Sequence, residues 1–306
     1  MKYTFLLPAF KGRYLDEMLR SIKAQTYTDF KVLISDDCSP EDLRSICEPY
    51  LSDPRFTYRR NEENMGSKSL VSHWNMLVDM CDTPYLIMAS DDDVYEPQFL
   101  EEIDALVQKY PDVDLFRGRA CKIDGNGKRY MCDGDMKSKM DQEEFVHLIY
   151  QYSSFVSCIA NFVYKRKSLL EKDKFIDFPL AWFSDEATNI MMSQNGCCMT
   201  PNIVFGFRKS STNISSKWGD REDCIKKTKA TISFNKWMRD YMKHLPFSNL
   251  KNMIETEYKA KVYGNIQNHI YHCPIAYFIQ FLLLSPNDVG LNKPRMLVHY
   301  IVNKIK

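Results

Sequence analysis

The chain has 306 residues, of which 44% are hydrophobic and 26% are charged, a composition typical of a globular protein with a sizeable core. The net charge of +1 and the lack of a recognised basic module argue against nucleic acid as a partner. Since no apolar run reaches the roughly eighteen residues that a membrane-spanning helix needs, we expect no such helix.

Ten cysteines are spread along the chain without a C-x-x-C pair, and the opening residues MKYTFLLPAF do not follow the pattern of a signal peptide. Scattered thiols without a secretory signal are typical of a reducing compartment. We therefore expect a cytoplasmic protein whose cysteines are free thiols.

Strand and helix patterns alternate over the first 110 residues. The apolar runs YTFLLP, FKVLIS, FTYRR and YLIMAS predict strands, and the periodic segments between and after them predict helices. Alternation of this kind requires crossover connections, so it predicts an α/β fold with a mainly parallel sheet flanked by helices.

After Asp112 the pattern changes. VDLFRG, ANFVYKR and PNIVFGFR predict further strands, and CKIDGNGKRYMC predicts a hairpin. From about Trp218 onward the pattern is helical. We predict one α/β domain at residues 1–215 and a helical C-terminal extension at residues 216–306.

Acidic residues follow two of the predicted strands: Asp36 and Asp37 after FKVLIS, and Asp91, Asp92 and Asp93 after YLIMAS. Ligands of parallel sheets bind beyond the carboxyl ends of the strands, so the two clusters can converge there. Adjacent carboxylates suit Mg²⁺, which takes one or two of them together with substrate phosphates. The alternative is a solvated acidic turn, as most charge runs are.

Several of these segments together resemble the family 2 glycosyltransferases. The opening of that family is a strand with Pro, a helix ending Ser-x-x-x-Gln-Thr and a strand ending Asp-Asp-x-Ser, and FLLPAFKGRYLDEMLRSIKAQTYTDFKVLISDDCSPED has all three in order. NEENMGS is similar to the family's Asn-x-Gly segment, and ASDDDVYEP resembles its metal-binding Asp-x-Asp segment. The resemblance covers residues 3–120 and, less strongly, 180–215.

The resemblance implies the GT-A (Rossmann-like) fold and transfer of a sugar, with inversion, from a UDP- or dTDP-type nucleotide-diphospho-sugar to a saccharide or lipid-linked saccharide acceptor. It also implies a divalent cation, Mg²⁺ or Mn²⁺, and a role in polysaccharide or cell-envelope biosynthesis. The residues it assigns to the donor site are Pro8, Ala9 and Phe10 along the nucleobase, Asp37 on its imide, Asn64 and Gly66 in the pocket floor, Asp91 beside the ribose or metal, and Asp92 and Asp93 on the metal. Ser90 departs from the family, because it stands where the first Asp of Asp-x-Asp is expected.

The general base that the family places at the start of a helix corresponds here to WFSDEATNIMM. Asp185 is the preferred base and Glu186 the second candidate. Acidic residues at a helix N-terminus also stabilise the helix dipole, which is the structural alternative. Arg208 stands near the position where relatives often carry a metal-binding His, and a cation there would neutralise the diphosphate.

Two other functions remain open on the sequence. One is a sugar nucleotidyltransferase, which would need a Gly-rich phosphate loop that the chain lacks. The other is a sugar-nucleotide-binding protein that has lost catalysis, since a fold does not fix a function.

The C-terminal region allows two interpretations. IYHCPIAYFIQFLLL predicts a buried helix, but with the basic NKPRMLVHYIVNKIK behind it the region also suits a helix at an anionic membrane surface. We therefore carry forward peripheral contact with the inner face of the membrane through residues 270–306.

Overall fold

The computed structural model describes residues 1–151, 155–210, 213, 221–256, 271, 273–284 and 292–305. The chain divides into two compact units, one of Met1–Asp177 with Asp185–Ser210 and one of Phe178–Ser184 with Ser211–Lys306. The predicted boundary between residues 215 and 216 lies outside the described residues.

The first unit is built on one sheet. Its strands are β1 (Tyr3–Ala9), β2 (Phe30–Asp36), β3 (Phe56–Arg60), β4 (Tyr85–Met88), β5 (Val94–Tyr95), β6 (Leu115–Ile123), β7 (Arg129–Cys132), β8 (Lys139–Met140), β9 (Phe162–Lys165) and β10 (Cys197–Arg208). Their order is β3-β2-β1-β4-β9-β6-β10-β5, with β7 beside β6 and β8 beside β10. Strands β1 to β4 are mutually parallel as predicted. From β9 onward the sheet is mixed, because β9 runs antiparallel to both β4 and β6.

Helices cover this sheet and make up most of the second unit. They are α1 (Leu15–Lys23), α2 (Leu43–Cys47), α3 (Gly66–Met80), α4 (Phe99–Lys109), α5 (Gln142–Gln151), α6 (Arg166–Glu171), α7 (Ser184–Met192), α8 (Arg221–Lys243), and two C-terminal helices at Ile275–Leu284 and Lys293–Ile305. Residues 248–256 are also helical.

The core of the first unit lies around β1. Pro8 is the one partly exposed residue of the seven in this strand. Burial of the rest is expected of a strand that other elements cover on both faces of the sheet. Helix α1 places Leu15, Met18, Leu19 and Ile22 against the sheet at helical spacing. Each such side chain contributes about 1.5–3 kcal/mol when it is fully buried.

Two details of the fold position the acidic residues. Strand β4 ends at Met88, and the short strand β5 then pairs antiparallel with β10 through Val94 and Tyr95. The segment between β4 and β5 is therefore held at both ends. It contains Asp91, Asp92 and Asp93.

The cysteine prediction is wrong for one pair. Cys121 on β6 is joined to Cys132 on β7 by a disulfide bond, while the other eight cysteines are free. The predicted hairpin is confirmed, because β6 and β7 pair antiparallel around it. Within the described ranges no helix has the length and apolar character to cross a membrane.

Candidate active site

Three aspartates lie buried at the carboxyl end of β4. Asp91 accepts hydrogen bonds through Oδ2 from the backbone N–H groups of Phe10, at 3.0 Å, and Lys11, at 2.8 Å. Asp93 accepts one through Oδ1 from the backbone N–H of Arg208, at 2.8 Å. The acidic triplet is therefore tied to β1 on one side and to β10 on the other.

Two cations compensate the charge of the triplet. The Lys11 ammonium lies 3.3 Å from Oδ1 of Asp91 and 3.1 Å from Oδ2 of Asp92. The buried Arg208 guanidinium donates to the carbonyl oxygen of Asp92 at 2.8 Å and pairs with Glu17 at 2.8 Å. The solvated acidic turn is thus not what forms here, since the aspartates are enclosed and paired.

Burial changes the acidity of this cluster. It raises the pKa of Asp92, against the attraction of Lys11. It raises the pKa of Asp93 well above its usual range, helped by the neighbouring charge of Asp92. The pKa of Lys11 is also raised, because attraction to Asp91 and Asp92 outweighs the opposing effect of burial. All three shifts reflect charges confined in a poorly solvated space.

The donor set fits a hard divalent cation in part. Asp92 and Asp93 offer carboxylate oxygens, the ligands that Mg²⁺ and Mn²⁺ prefer. Oδ2 of Asp93 is buried and receives no well-formed hydrogen bond from the described residues. The Ser90 hydroxyl interacts with the Asp93 carboxyl and lowers its pKa, by less than burial raises it. The described residues contain no group of three or more His, Cys, Asp or Glu side chains that would hold a metal by themselves. The carboxylate oxygens of Asp92 and Asp93 would therefore supply only part of the ligands of a divalent cation.

The end of β1 lies between the two acidic strand ends. Pro8 and Ala9 close the strand beside β2, and the Ala9 carbonyl accepts a hydrogen bond from the backbone N–H of Asp37 at 2.8 Å. The carbonyl of Phe10 accepts one from the Ser39 hydroxyl at 2.7 Å. These backbone hydrogen bonds join the ends of β1 and β2, and the Phe10 side chain is exposed beside them.

Asp37 anchors the start of α3. Its Oδ1 accepts hydrogen bonds from Asn61 Nδ2 at 2.8 Å and Met65 N at 2.9 Å, and its Oδ2 accepts one from Gly66 N at 2.8 Å. A carboxylate has about four acceptor positions, and these three hydrogen bonds use most of them. A Cβ on Gly66 would lie 2.9 Å from Asp37 Oδ2, so this close approach requires glycine.

Asn64 has a role at the same turn. Its Oδ1 accepts a hydrogen bond from Ser67 N at 2.8 Å, which satisfies one of the unpaired N–H groups at the beginning of α3. Asn64 and Gly66 thus shape the loop beside Asp37, and their place in a pocket floor stays a prediction.

His73 belongs to this network and was missed by sequence reasoning. Its ring is fully buried on α3, with Nε2 at 3.0 Å from Ser35 Oγ and Nδ1 at 3.5 Å from Asp37 Oδ2. Burial lowers the pKa of His73, which keeps the imidazole neutral. The only signal in the sequence was the histidine of SHWN, within a segment predicted to be helical.

Asp185 and Glu186 lie in the first turn of α7. Burial raises the pKa of Asp185 to about 6, although the backbone N–H of Glu186 acts in the other direction. Loss of solvation raises the pKa of the half-buried Cys158 thiol well above its usual range, and the charges of Asp93 and Asp185 raise it further.

The backbone just before Asp185 is strained. Leu180, Ala181 and Phe183 have φ angles of 60°, 55° and 69°, a region that residues with a Cβ rarely adopt. Such conformations cost about 1–3 kcal/mol each and are concentrated at functional sites. The strain agrees with a functional role for the start of α7.

Comparison with known proteins identifies the family. The family model described as Glycosyl transferase family 2 matches residues 4–171, which is more than half of the chain. The chain belongs to glycosyl transferase family 2.

Three curated glycosyltransferases are similar to part of the chain. An uncharacterised glycosyltransferase of Haemophilus influenzae is 29% identical over 115 residues, which cover 37% of each protein. The glycosyltransferase GlyG of Streptococcus pneumoniae is 25% identical over 113 residues, 37% of this chain and 36% of GlyG. The poly(ribitol-phosphate) β-N-acetylglucosaminyltransferase TarS of Staphylococcus aureus is 24% identical over 131 residues, 42% of this chain and 22% of TarS. The matched stretch therefore spans well under half the length of these relatives.

Solved structures extend the similarity to most of the chain. Residues 1–349 of S. aureus TarS in complex with UDP-GlcNAc superpose with a TM-score of 0.57 at 16% identity, covering 90% of this chain and 82% of that one. The mannosyltransferase PcManGT of Pyrobaculum calidifontis with GDP-Man and Mn²⁺ gives 0.56 at 12% identity, covering 99% and 87%. These similarities confirm the predicted GT-A fold.

Proposed function

We propose that this family 2 protein is a glycosyltransferase that moves a sugar from a UDP- or dTDP-type donor to a saccharide or lipid-linked saccharide acceptor, with inversion. The observation that carries the proposal is the buried triplet Asp91, Asp92 and Asp93, which hydrogen bonds tie to β1 and β10, in a chain that matches family 2 over residues 4–171. We assign the triplet to the leaving diphosphate, and we assign Asp185, whose pKa is raised, to the acceptor as its base.

Donor binding is assigned to the carboxyl ends of β1, β2 and β4. In the proposal the exposed Phe10 ring contacts the nucleobase, with Pro8 and Ala9 alongside. Asp37 accepts the imide hydrogen bond with its remaining acceptor position, and the Asn64–Gly66 turn forms the floor. Asp91, which already binds the backbone of Phe10 and Lys11, orients this loop towards the ribose.

Asp92 and Asp93 are the proposed ligands of Mg²⁺ or Mn²⁺. A cation held there together with the diphosphate supplies positive charge where the leaving group becomes more negative. The structurally similar mannosyltransferase PcManGT was solved with GDP-Man and Mn²⁺, which supports the choice of ion. Lys11 lies against Asp91 and Asp92 and adds positive charge beside the phosphates. Arg208 is already committed to protein contacts, so we assign it to holding the loop rather than to the diphosphate.

Asp185 is the proposed general base. Its raised pKa of about 6 makes it a better proton acceptor than an ordinary aspartate near neutral pH. Removing the proton from an acceptor hydroxyl lets that oxygen attack the sugar from the face opposite the diphosphate, which inverts the anomeric centre. Glu186, its neighbour in the chain, is the second candidate.

A cytoplasmic enzyme of polysaccharide or cell-envelope biosynthesis agrees with this assignment. TarS, as its name states, transfers N-acetylglucosamine to poly(ribitol-phosphate), and its similarity favours an envelope polymer as the setting here. A lipid-linked acceptor would bring the enzyme to the inner face of the membrane through residues 270–306.

The first test is a thermal-shift panel of UDP, GDP, CDP and dTDP, each with and without Mn²⁺. A ligand that binds only the native state raises the melting temperature by mass action. We expect a shift with UDP or dTDP that requires Mn²⁺. A flat panel in a folded sample would count against the donor assignment.

Turnover separates the remaining alternatives. A protein that binds nucleotide but transfers no sugar from any nucleotide-sugar tested would be the sugar-nucleotide-binding protein that has lost catalysis. Release of pyrophosphate from a nucleoside triphosphate and a sugar phosphate would identify a sugar nucleotidyltransferase.

A further inference from the structure

The two C-terminal helices share a small core of their own. The Phe278 and Tyr300 rings stack with their centroids 4.1 Å apart. The Tyr300 hydroxyl donates a hydrogen bond to the Cys273 carbonyl at 2.7 Å. Phe281 and Met296 are buried in the same cluster. These contacts fix which side of each helix is turned inward.

The opposite sides of both helices are apolar and exposed. Eleven large hydrophobic side chains are exposed in the described residues, and seven of them lie on these two helices, between 39% and 76% exposed. They are Ile275, Ile279 and Leu283 on the first helix and Leu297, Val298, Ile301 and Val302 on the second. Exposed apolar residues scattered singly need no explanation, but a concentration of this kind indicates an interaction surface.

The charges on these helices have one sign. Residues 275–284 carry no ionised side chain, and residues 292–305 contain no Asp or Glu. The second helix brings Lys293, Arg295 and Lys304, of which Arg295 and Lys304 are exposed. This combination of apolar and basic residues matches an anionic surface. It disfavours a second copy of the chain docked through the same face, since the pairing would bring like charges together.

The helices are too short to cross a bilayer. At 1.5 Å per residue, their ten and thirteen residues extend roughly 15 and 20 Å, against about 30 Å of hydrocarbon. An exposed apolar face with basic residues beside it suits helices that lie in the plane of the membrane interface instead.

We propose that the helices Ile275–Leu284 and Lys293–Ile305 bind the surface of an anionic lipid bilayer. The seven exposed apolar side chains enter the boundary between headgroups and acyl chains. Lys293, Arg295 and Lys304 meet the lipid phosphates. The inference goes beyond the sugar transfer and does not depend on it, because it concerns where the protein is held.

The test is sedimentation of the full chain with vesicles of phosphatidylcholine alone or with one quarter phosphatidylglycerol. We expect binding to the anionic vesicles and little to the neutral ones, and we expect 0.5 M NaCl to weaken it, because salt screens the basic residues. The double variant Leu283→Gln/Val298→Gln should weaken anionic binding by about tenfold or more, since each change removes apolar contact with lipid.

A matched control is Tyr130→Gln, which removes an exposed hydrophobic side chain from β7 and should bind vesicles as the parent does. Leu283, Val298 and Tyr130 are all on the surface, and an unchanged melting temperature checks that the fold is intact. A third variant, Arg295→Gln/Lys304→Gln, should lose the preference for anionic lipid.

Equal sedimentation of the parent and the Leu283→Gln/Val298→Gln variant would overturn the proposal. So would a parent that binds neither kind of vesicle but is a dimer in analytical ultracentrifugation and becomes a monomer in that variant, because the face would then bind a second copy. The nucleotide panel is read separately, so failure of membrane binding and failure of donor binding are distinguishable.

Discussion

The raised pKa of Asp185 predicts how the rate of sugar transfer depends on pH. Only the ionised carboxylate acts as a base, so the rate should fall as the pH drops through about 6. At a pKa of 6 the ionised fraction falls from about 90% at pH 7 to about 10% at pH 5, roughly a ninefold loss of kcat/KM. An aspartate at its ordinary pKa would remain mostly ionised over this range and give an almost flat profile.

Asp185→Asn removes the base while keeping the shape of the side chain. We expect kcat to fall by about 10²–10⁴-fold, with the UDP-dependent thermal shift unchanged because the proposed donor site lies at the ends of β1, β2 and β4 and not on α7. Glu186→Gln is the matched control in the same helical turn, and it should keep both the rate and the pH profile.

The same substitution should stabilise the protein. The folded pKa of Asp185 lies above the unfolded value, so folding disfavours the charged form, and this penalty is fully present above pH 6 and absent below about pH 4. The difference between about 6 and 3.8 corresponds to about 3 kcal/mol, and solvent screening of a half-buried group reduces it. We expect Asp185→Asn to raise the free energy of unfolding by about 1–2 kcal/mol at pH 8.

The assay is steady-state kinetics from pH 5 to 8, with the donor varied at a fixed acceptor concentration. Urea unfolding is measured on the same samples. If Glu186→Gln lost activity and Asp185→Asn kept it, Glu186 would be the base instead of Asp185. A flat profile in an active parent enzyme would refute the assignment of a raised pKa to the base.

Three further predictions concern the donor site. Asp92→Ala should abolish the Mn²⁺-dependent shift with UDP while the circular dichroism spectrum stays the same, and an unchanged shift would remove Asp92 from the metal site. Lys11→Met removes the ammonium that competes with Mn²⁺ for Asp91 and Asp92, so calorimetry without nucleotide should give about tenfold tighter Mn²⁺ binding. Lys68→Met, on the surface, is the control. Equal Mn²⁺ affinities of the parent and Lys11→Met would contradict this competition. Asp37→Ala leaves three donors unpaired, so urea unfolding should report a loss of about 2–4 kcal/mol, and a loss below about 0.5 kcal/mol would argue against the network.

Much of the fold followed from local pattern. The four N-terminal strands were predictable because each short run of strand-forming residues ends at turn residues and is followed by a segment with helical spacing of apolar residues. Their parallel pairing followed from the crossovers. The positions of Asp37 and of Asp91 to Asp93 at strand ends followed in turn, since strand ends in such a sheet share an edge. The mixed half of the sheet could not be predicted from the sequence. Whether β9 runs parallel or antiparallel to its neighbours depends on contacts between residues far apart in the chain.

What sequence alone determined is therefore which chemical groups the site has: carboxylates after β4, a carboxylate at the start of α7, and the glycine that lets α3 approach Asp37. Only the tertiary structure decided what those groups are next to. Lys11 follows β1 and Arg208 ends β10, so both are far from the three aspartates in sequence. Folding brings their positive charges to the aspartates that follow β4. The raised pKa of Asp185 likewise comes from burial, which is a property of everything packed around a residue. No spacing in the chain encodes it.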